Sequence, residues 1–380
     1  MQLSVIILNY NVRYFLELCV LSVQNAIQNI DAEIIVIDNN SQDDSCEMIK
    51  QRFPKAKLIQ NKENSGFPKG NNIGVSEAQG EYLCILNPDT VVSEDTFTKV
   101  LAFAKEQKDL GIVGVKLIDG TGNFLPESKR GTPTPFVAFT KITGLYKFFP
   151  KTFGKYYAQH VEENETGKVD ILVGAFMVMK RELYNEIGGF DENCFMYSDD
   201  IDLSYMALER GKSNYYFHET SVVHYKGEST IKDDTYMKRF REAMNFFYKK
   251  HFSVSFLFSV FMEMGIVFFS FVKMFQGKPK PKLSPQNYIL VSDDEMLREK
   301  LQKQLNQKVE LQKTSNLFSK NTRTEIIFDQ NYLNFKSIIQ TFETNKNADF
   351  TFKILPESTD FIIGSNSSFD RGEIITILDL

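Results

Sequence analysis

The chain lacks tryptophan and has only four cysteines and four histidines in 380 residues. Cys19, Cys46, Cys84 and Cys194 are well separated and form no C-x-x-C pair, so neither a zinc site nor a disulfide framework is expected, and a reducing cytosol fits. So few histidines argue against a multi-histidine metal centre. Basic charge is not in excess: 44 Lys and Arg against 49 Asp and Glu give a net charge of -5, with no bulk attraction for nucleic acid. The opening Met1-Gln2-Leu3-Ser4 has no basic region before the first apolar run, so no cleaved leader is expected and the chain is placed inside the cell. With 42% hydrophobic and 24% charged residues it is not a disordered chain, and its length suits two domains. No internal repeat is evident.

What is present is an α/β rhythm. Short apolar runs alternate with longer amphipathic ones over the first hundred residues, as in βαβ units around a mostly parallel, buried sheet. Val5 to Leu8, Glu33 to Ile37, Lys57 to Ile59 and Tyr82 to Leu86 read as strands. Helices are expected from Tyr14 to Ala26, from about Asp44 to Phe53, and between a Gly/Asn-rich loop and Tyr82. Beyond Gly111 the pattern is less regular, with strands at Ile112 to Val115 and Ile171 to Met179, a Gly188-Gly189 turn and a helix beginning near Asp199. A basic stretch from Lys238 leads into the Phe-rich, apolar run 252–272 and then a Lys/Pro linker. The α/β rhythm resumes at Tyr288. The expected organisation is an α/β domain over 1–250, an apolar helix with its linker over 251–284, and a smaller α/β domain of unassigned role over 285–380.

Ligands in open α/β sheets sit at the carboxyl ends of strands, and three polar clusters fall there. Asp38 closes the second strand. The stretch Asn64-Ser65-Gly66-Phe67-Pro68-Lys69-Gly70-Asn71-Asn72-Ile73-Gly74 reads as a loop whose glycines allow close backbone approach, with the next helix's amides facing an anion. It has neither the Walker lysine-serine pair nor the dinucleotide fingerprint; an ordinary strand-to-helix turn is the plain alternative. Asn87-Pro88-Asp89 puts a carboxylate where a divalent cation, Mg²⁺ or Mn²⁺, bridges protein and diphosphate. Farther on, Asp199, Asp200 and Asp202 crowd a helix start. Ser198 or Asp199 can cap that helix and the dipole favours acids there, which accounts for one or two of the three. His224 follows a strand as a possible metal ligand, with Lys226 nearby for phosphate oxygens.

In order, Val5 to Asn11, Ile37 to Ser41, the Asn64 to Gly74 stretch, Asn87-Pro88-Asp89, Gly188 to Glu192, Asp199-Asp200 and His224 closely resemble family 2 glycosyltransferases of the GT-A fold, particularly the rhamnosyltransferase-like members of bacterial surface-polysaccharide pathways. The resemblance covers about residues 1–250. It implies inverting transfer of a sugar from a nucleoside diphosphate donor to a saccharide or lipid-linked saccharide. By the family pattern, Tyr10 and Asn11 lie beside the nucleoside, Asp38 bonds the base, and Asn64, Gly66, Phe67, Gly70, Asn71 and Asn87 line the donor site. Asp89, with His224, holds the divalent metal; Gly174 and Ala175 line the sugar; Arg130 matches a basic position; and Asp199 and Asp200 form the acidic pair, with Asp200 as general base. Two positions depart from the usual pattern: Asn87-Pro88-Asp89 replaces Asp-x-Asp, and Asp199-Asp200 replaces Glu-Asp.

The run 252–272 is long enough to cross a bilayer, yet Ser255, Ser259, Glu263 and Ser270 gather on one side, which favours a helix lying on the inner face of the cell membrane; a helix packed on the first domain is the plain alternative. The expected protein is therefore cytoplasmic and peripherally membrane-associated. The rival reading is a catalytically silent sugar-nucleotide-binding scaffold of a polysaccharide assembly complex.

Overall fold

In the computed structural model the described residues are 1–134, 137, 157–226, 234–252, 284–313, 323–346, 349–366 and 372–377. The expected run 252–272 lies, after its first residue, outside them. The first half contains β1 (Leu3–Asn9), α1 (Arg13–Ala26), β2 (Ala32–Asp38), α2 (Ser45–Arg52), β3 (Lys57–Gln60), α3 (Gly66–Ser76), β4 (Tyr82–Leu86), β5 (Thr90–Val91) and α4 (Thr96–Glu106). It continues through β6 (Leu110–Ile118), β7 (Gly167–Val169), β8 (Phe176–Lys180), α5 (Arg181–Glu186), α6 (Asp199–Glu209), β9 (Ser213–His224) and α7 (Asp234–His251). The second half contains β10 (Asn287–Val291), α8 (Glu295–Leu305), β11 (Val309–Gln312), β12 (Thr324–Asp329), α9 (Phe335–Thr344), β13 (Phe350–Leu355), β14 (Phe361–Gly364) and β15 (Glu373–Thr376).

The first sheet runs β3-β2-β1-β4-β8-β6-β9-β5, with β7 on β9. β1 is parallel to β2 and β4, and every one of its residues is buried, as both-face coverage by helices requires. β8 enters antiparallel between β4 and β6, and β9 lies parallel to β6. Two reversals restore the direction, so β1, β2, β4 and β9 all end at one edge. Asn9, Asp38, Asn87 and His224 reach that edge from four separate strands.

Three expectations change in detail. The stretch Ile171 to Met179 is not one strand: only Phe176–Lys180 forms β8, and Val173 to Ala175 turn before it. β6 is longer than Ile112 to Val115 at both ends. The supposed Gly/Asn loop is mostly helix, because α3 starts at Gly66. A Cβ on Gly70 would stand 2.5 Å from Leu8 Cδ1, and one on Gly74 2.4 Å from Ile37 Cδ1. Glycines four residues apart thus let α3 lie directly on β1 and β2. Gly70 is spent on packing, and the buried Asn71 turns its amide back to Phe67 O at 2.9 Å.

The second sheet, β11-β10-β12-β13-β14-β15, is parallel through β13 and antiparallel beyond. It continues the core of the first: one apolar cluster contains Phe15, Val91 and Tyr225 together with Phe328, Phe342 and Phe361. Polar contacts reinforce the joint. Glu94 accepts from the Phe335 and Lys336 amides at 2.7 and 2.9 Å, supplying the α9 N-terminus with acceptors from another element. Lys116 of β6 meets Glu343 of α9 at 2.9 Å, and Arg52 donates to the Glu357 and Ser358 carbonyls.

Candidate active site

Two polar knots shape the β1/β2 side of the carboxyl edge. The buried Asn9 amide donates to Asp38 Oδ1 at 2.9 Å, and the Ser41 amide donates to Asp38 Oδ2 at 2.9 Å, fixing the carboxylate from both sides. Asn11 takes φ 54°, which Asn tolerates; its amide donates to Ser41 Oγ and its Oδ1 accepts from Gln42. Tyr10 beside it is 44% exposed, a large ring left in solvent. The second knot centres on Asn39, which donates to Asn64 Oδ1 at 3.0 Å and accepts from Asn61, the Ser65 amide and the Ser65 hydroxyl. Asn64 Oδ1 in turn accepts from the Gly66 amide. Gly66, at φ +80°, has no room for a Cβ, which would stand 2.9 Å from the Phe195 ring, and Phe67 N donates to Phe195 O.

The next group lies where β4 meets β9. Asn87 N donates to Ala175 O at 3.0 Å, and Tyr225 N to Asp89 O at 2.9 Å. His224 Nε2 stands 3.4 Å from both Asp89 Oδ1 and Asn87 Nδ2. His224 Nδ1 and Asn87 Oδ1 are buried without hydrogen-bond partners among the described residues. A hard cation that keeps water and substrate oxygens as most of its ligands needs only one or two such groups from protein. Asp89 and the His224 Nε2 that faces it are the two groups that would hold one, although no group of three or more metal-ligating side chains forms among the described residues. Lys226, expected to face phosphate, is ion-paired with Glu127. Burial raises the Glu127 carboxyl, but the Lys226 charge outweighs it and leaves the group below its ordinary value.

The acidic cluster separates into two functions. Ser198 holds the N-cap position of α6 but makes no cap bond; its hydroxyl meets Cys194 Sγ at 3.1 Å, so side-chain capping does not explain the acids. Asp202 is turned to α7, accepting from His251 Nε2 at 2.6 Å and Lys250 Nζ at 2.8 Å, and it clamps the two helices together. Asp199 and Asp200 remain, both buried. Asp200 Oδ2 takes Arg130 Nη2 at 2.5 Å and the Gly174 amide at 3.1 Å, while Oδ1 takes the Ile201 amide at 2.8 Å. Arg130 is brought there by a two-way backbone bridge to Ile171, 2.9 Å each way. A Cβ on Gly174 would lie 3.4 Å from Asp200 Cβ and 3.6 Å from Phe67 Cζ. Asn39 Nδ2 donates to Gly66 O at 3.3 Å, Gly174 N to Asp200 Oδ2 at 3.1 Å, and Asn87 N to Ala175 O at 3.0 Å.

Asp199 is buried beside its neighbour. Burial first and the Asp200 charge second push its carboxyl up to about 7, against the pull of the Asp199 and Tyr197 backbone and of Arg130. A carboxyl raised on folding stabilises fully below its unfolded pKa near 3.8, and that contribution is lost as pH rises towards 7. Asp199→Asn should therefore raise the melting temperature at pH 8, with the gain shrinking steadily as pH falls to 4. Thermal unfolding across that range checks it; a gain independent of pH would mean that Asp199 is not held protonated.

Sequence reasoning missed Asn9 and Asn39 as hubs, and missed Glu127 and Tyr225. Asn9 and Asn39 carry a visible signal, a polar residue at or just past the end of an apolar run. Glu127 and Tyr225 carry none, since their partners come from remote segments.

Residues 4–188 match the model of Glycosyl transferase family 2, a stretch that contains Asn9, Asp38, Asp89, Arg130 and Gly174. Those residues belong to glycosyl transferase family 2. The family match ends before Asp199, Asp200 and His224. N-acetylglucosaminyl-diphospho-decaprenol L-rhamnosyltransferase of Mycobacterium tuberculosis is 24% identical over 212 residues, 53% of this chain and 68% of the relative. Poly(ribitol-phosphate) beta-N-acetylglucosaminyltransferase TarS of Staphylococcus aureus is 26% identical over 155 residues, 40% of this chain and 27% of its own length. The crystal structure of S. aureus TarS 1-349 superposes with a TM-score of 0.45 at 18% identity, covering 74% of this chain and 76% of that one. The stretch that matches the family model runs from β1 to β8 of the first sheet, to which the second sheet is joined.

Proposed function

We propose that this family 2 chain is an inverting glycosyltransferase that moves a sugar from a nucleoside diphosphate to a hydroxyl of a saccharide or lipid-linked saccharide, in surface-polysaccharide synthesis. The observation that carries the reading is the Asp200 carboxylate, held by Arg130 and the Gly174 amide next to Phe67, one short turn from the Ala175–Asn87 contact. The names of the relatives support a saccharide acceptor carried on a lipid diphosphate or a polymer.

Tyr10, Asn11 and Asp38 are assigned to the nucleoside, Asp38 to its base. Asn64, Gly66 and Phe67 bound the donor cleft, and Gly174 and Ala175 line the sugar. Gly70 and Asn71 shape α3 beneath them. Asn87, Asp89 and His224 face the diphosphate, and Asp89 with His224 would hold Mg²⁺ or Mn²⁺, which when bound neutralises charge on that group. Asp200 accepts the proton of the acceptor hydroxyl as its oxygen attacks the anomeric carbon on the face opposite the departing nucleoside diphosphate. Inversion is the consequence. Among the described residues no helix is long and apolar enough to cross a membrane; the peripheral membrane assignment rests on the composition of 252–272.

The test is a thermal-shift screen of dTDP-, UDP- and GDP-sugars with Mn²⁺, followed by transfer or hydrolysis assays on any that bind. A ligand present at about 100 times its Kd should stabilise the fold by about 2.7 kcal/mol. If none of them shifts the transition, the donor assignment fails. If one binds and is never turned over, the chain is the non-catalytic scaffold instead.

A further inference from the structure

The second sheet is more than an appendage, because two of the residues it presses on, Phe15 and Gly120, also pack on Tyr225. Phe15 packs on Tyr225 with ring centroids 5.3 Å apart. On its other side Phe15 meets the turn before β15, where a Cβ on Gly372 would stand 2.5 Å from Phe15 Cζ. Gly120, just past β6, is squeezed likewise: a Cβ there would lie 2.7 Å from Ser365 O of the second sheet and 3.0 Å from the Tyr225 ring. The ring is 1% exposed, and its hydroxyl is buried without a hydrogen-bond partner among the described residues, so the side chain is used for its shape.

Tyr225 sits between His224 and Lys226, and its amide donates to Asp89 O at 2.9 Å. Lys226 has φ 54° and is tied to Glu127, so the backbone turns sharply immediately after the anchored ring. Moving the ring would displace the carbonyl of Asp89 and the imidazole that stands 3.4 Å from its carboxylate.

We propose that Tyr225 is a positioning residue through which the second sheet, by way of Phe15 and Gly120, sets the placement of Asp89 and His224 against the donor's diphosphate. This rests on the donor-site reading above. Its consequence is that the second sheet belongs to the donor half of the catalytic centre.

The full chain tests it with Tyr225→Ala, Tyr225→Phe and Gly120→Ala, the last a wedge in the joint. UDP and dTDP, each titrated calorimetrically with Mn²⁺, give Kd and the Mn²⁺ concentration for half-maximal binding; melting temperature reports folding. Tyr225→Ala and Gly120→Ala should each weaken nucleotide and Mn²⁺ binding about tenfold, with kcat at saturation within about threefold, the pattern of lost binding rather than lost chemistry. Tyr225→Phe should restore wild-type constants, since the hydroxyl has no partner. Unchanged constants in the Ala variants overturn the proposal, as does a Phe variant as damaged as Ala, or a smaller active fraction with constants intact. If wild type binds neither nucleotide, the donor reading falls and this inference with it; if wild type binds and the variants match it, only the inference falls.

Discussion

Asp200→Asn is expected to lower kcat by about 10²- to 10⁴-fold and to leave the donor Kd within about twofold, because on the proposed mechanism the carboxylate's work is on the acceptor proton. The amide cannot take that proton. It also cannot satisfy its surroundings, since Asp200 receives only donors: Arg130 and Gly174 N on one oxygen and Ile201 N on the other. One of those contacts becomes donor to donor, at a cost of about 1–3 kcal/mol. Opposing this, removal of the Asp200 charge lifts one of the two causes that raise Asp199, so Asp199 becomes ionised further below pH 7. The variant therefore keeps a negative charge in the cleft. That makes the outcome decisive: retained transfer would give the base role to Asp199, while loss with donor binding intact gives it to Asp200. A radiolabelled-sugar transfer assay beside a donor titration separates the two.

The legibility of this arrangement followed the range of the interactions. Strands and their carboxyl-end residues were readable because burial of β1, β2 and β4 on both faces forces continuous apolar runs, and the first polar residue after such a run marks the edge. Asp38, Asp89 and the start of α6 at Asp199 were therefore legible. The glycines read as a loop, although Gly70 and Gly74 stand four residues apart, the spacing of one helix face pressed on a sheet. Asp202 was indistinguishable from Asp199 and Asp200 because its partners, Lys250 and His251, lie 48 and 49 residues away. The difference between Asp199 and Asp200 was equally hidden, since it depends on Arg130, 70 residues from Asp200 and delivered by a bridge to Ile171. Local pattern specifies which residues reach the edge; only the fold specifies which of them carry a proton.

Arg130→Met is expected to cost about 3–5 kcal/mol of stability, because it leaves two buried carboxyls without their cation. The deficit should depend on pH. Arg130 is among the influences that lower Asp199, so its loss moves that carboxyl further above about 7. A group raised on folding loses its stabilising contribution as pH climbs through its folded value, so the deficit grows from pH 5 to pH 8. Adding Asp199→Asn removes one of the two like charges, and the double variant should regain more than half of the loss at pH 8. Arg130→Lys should keep part of the stability, since an ammonium replaces the charge but not the planar fork. Urea unfolding of the four variants at both pH values decides the matter. A loss independent of pH and additive with Asp199→Asn would mean that Arg130 acts through the packing of its stem rather than through its charge on the acidic pair.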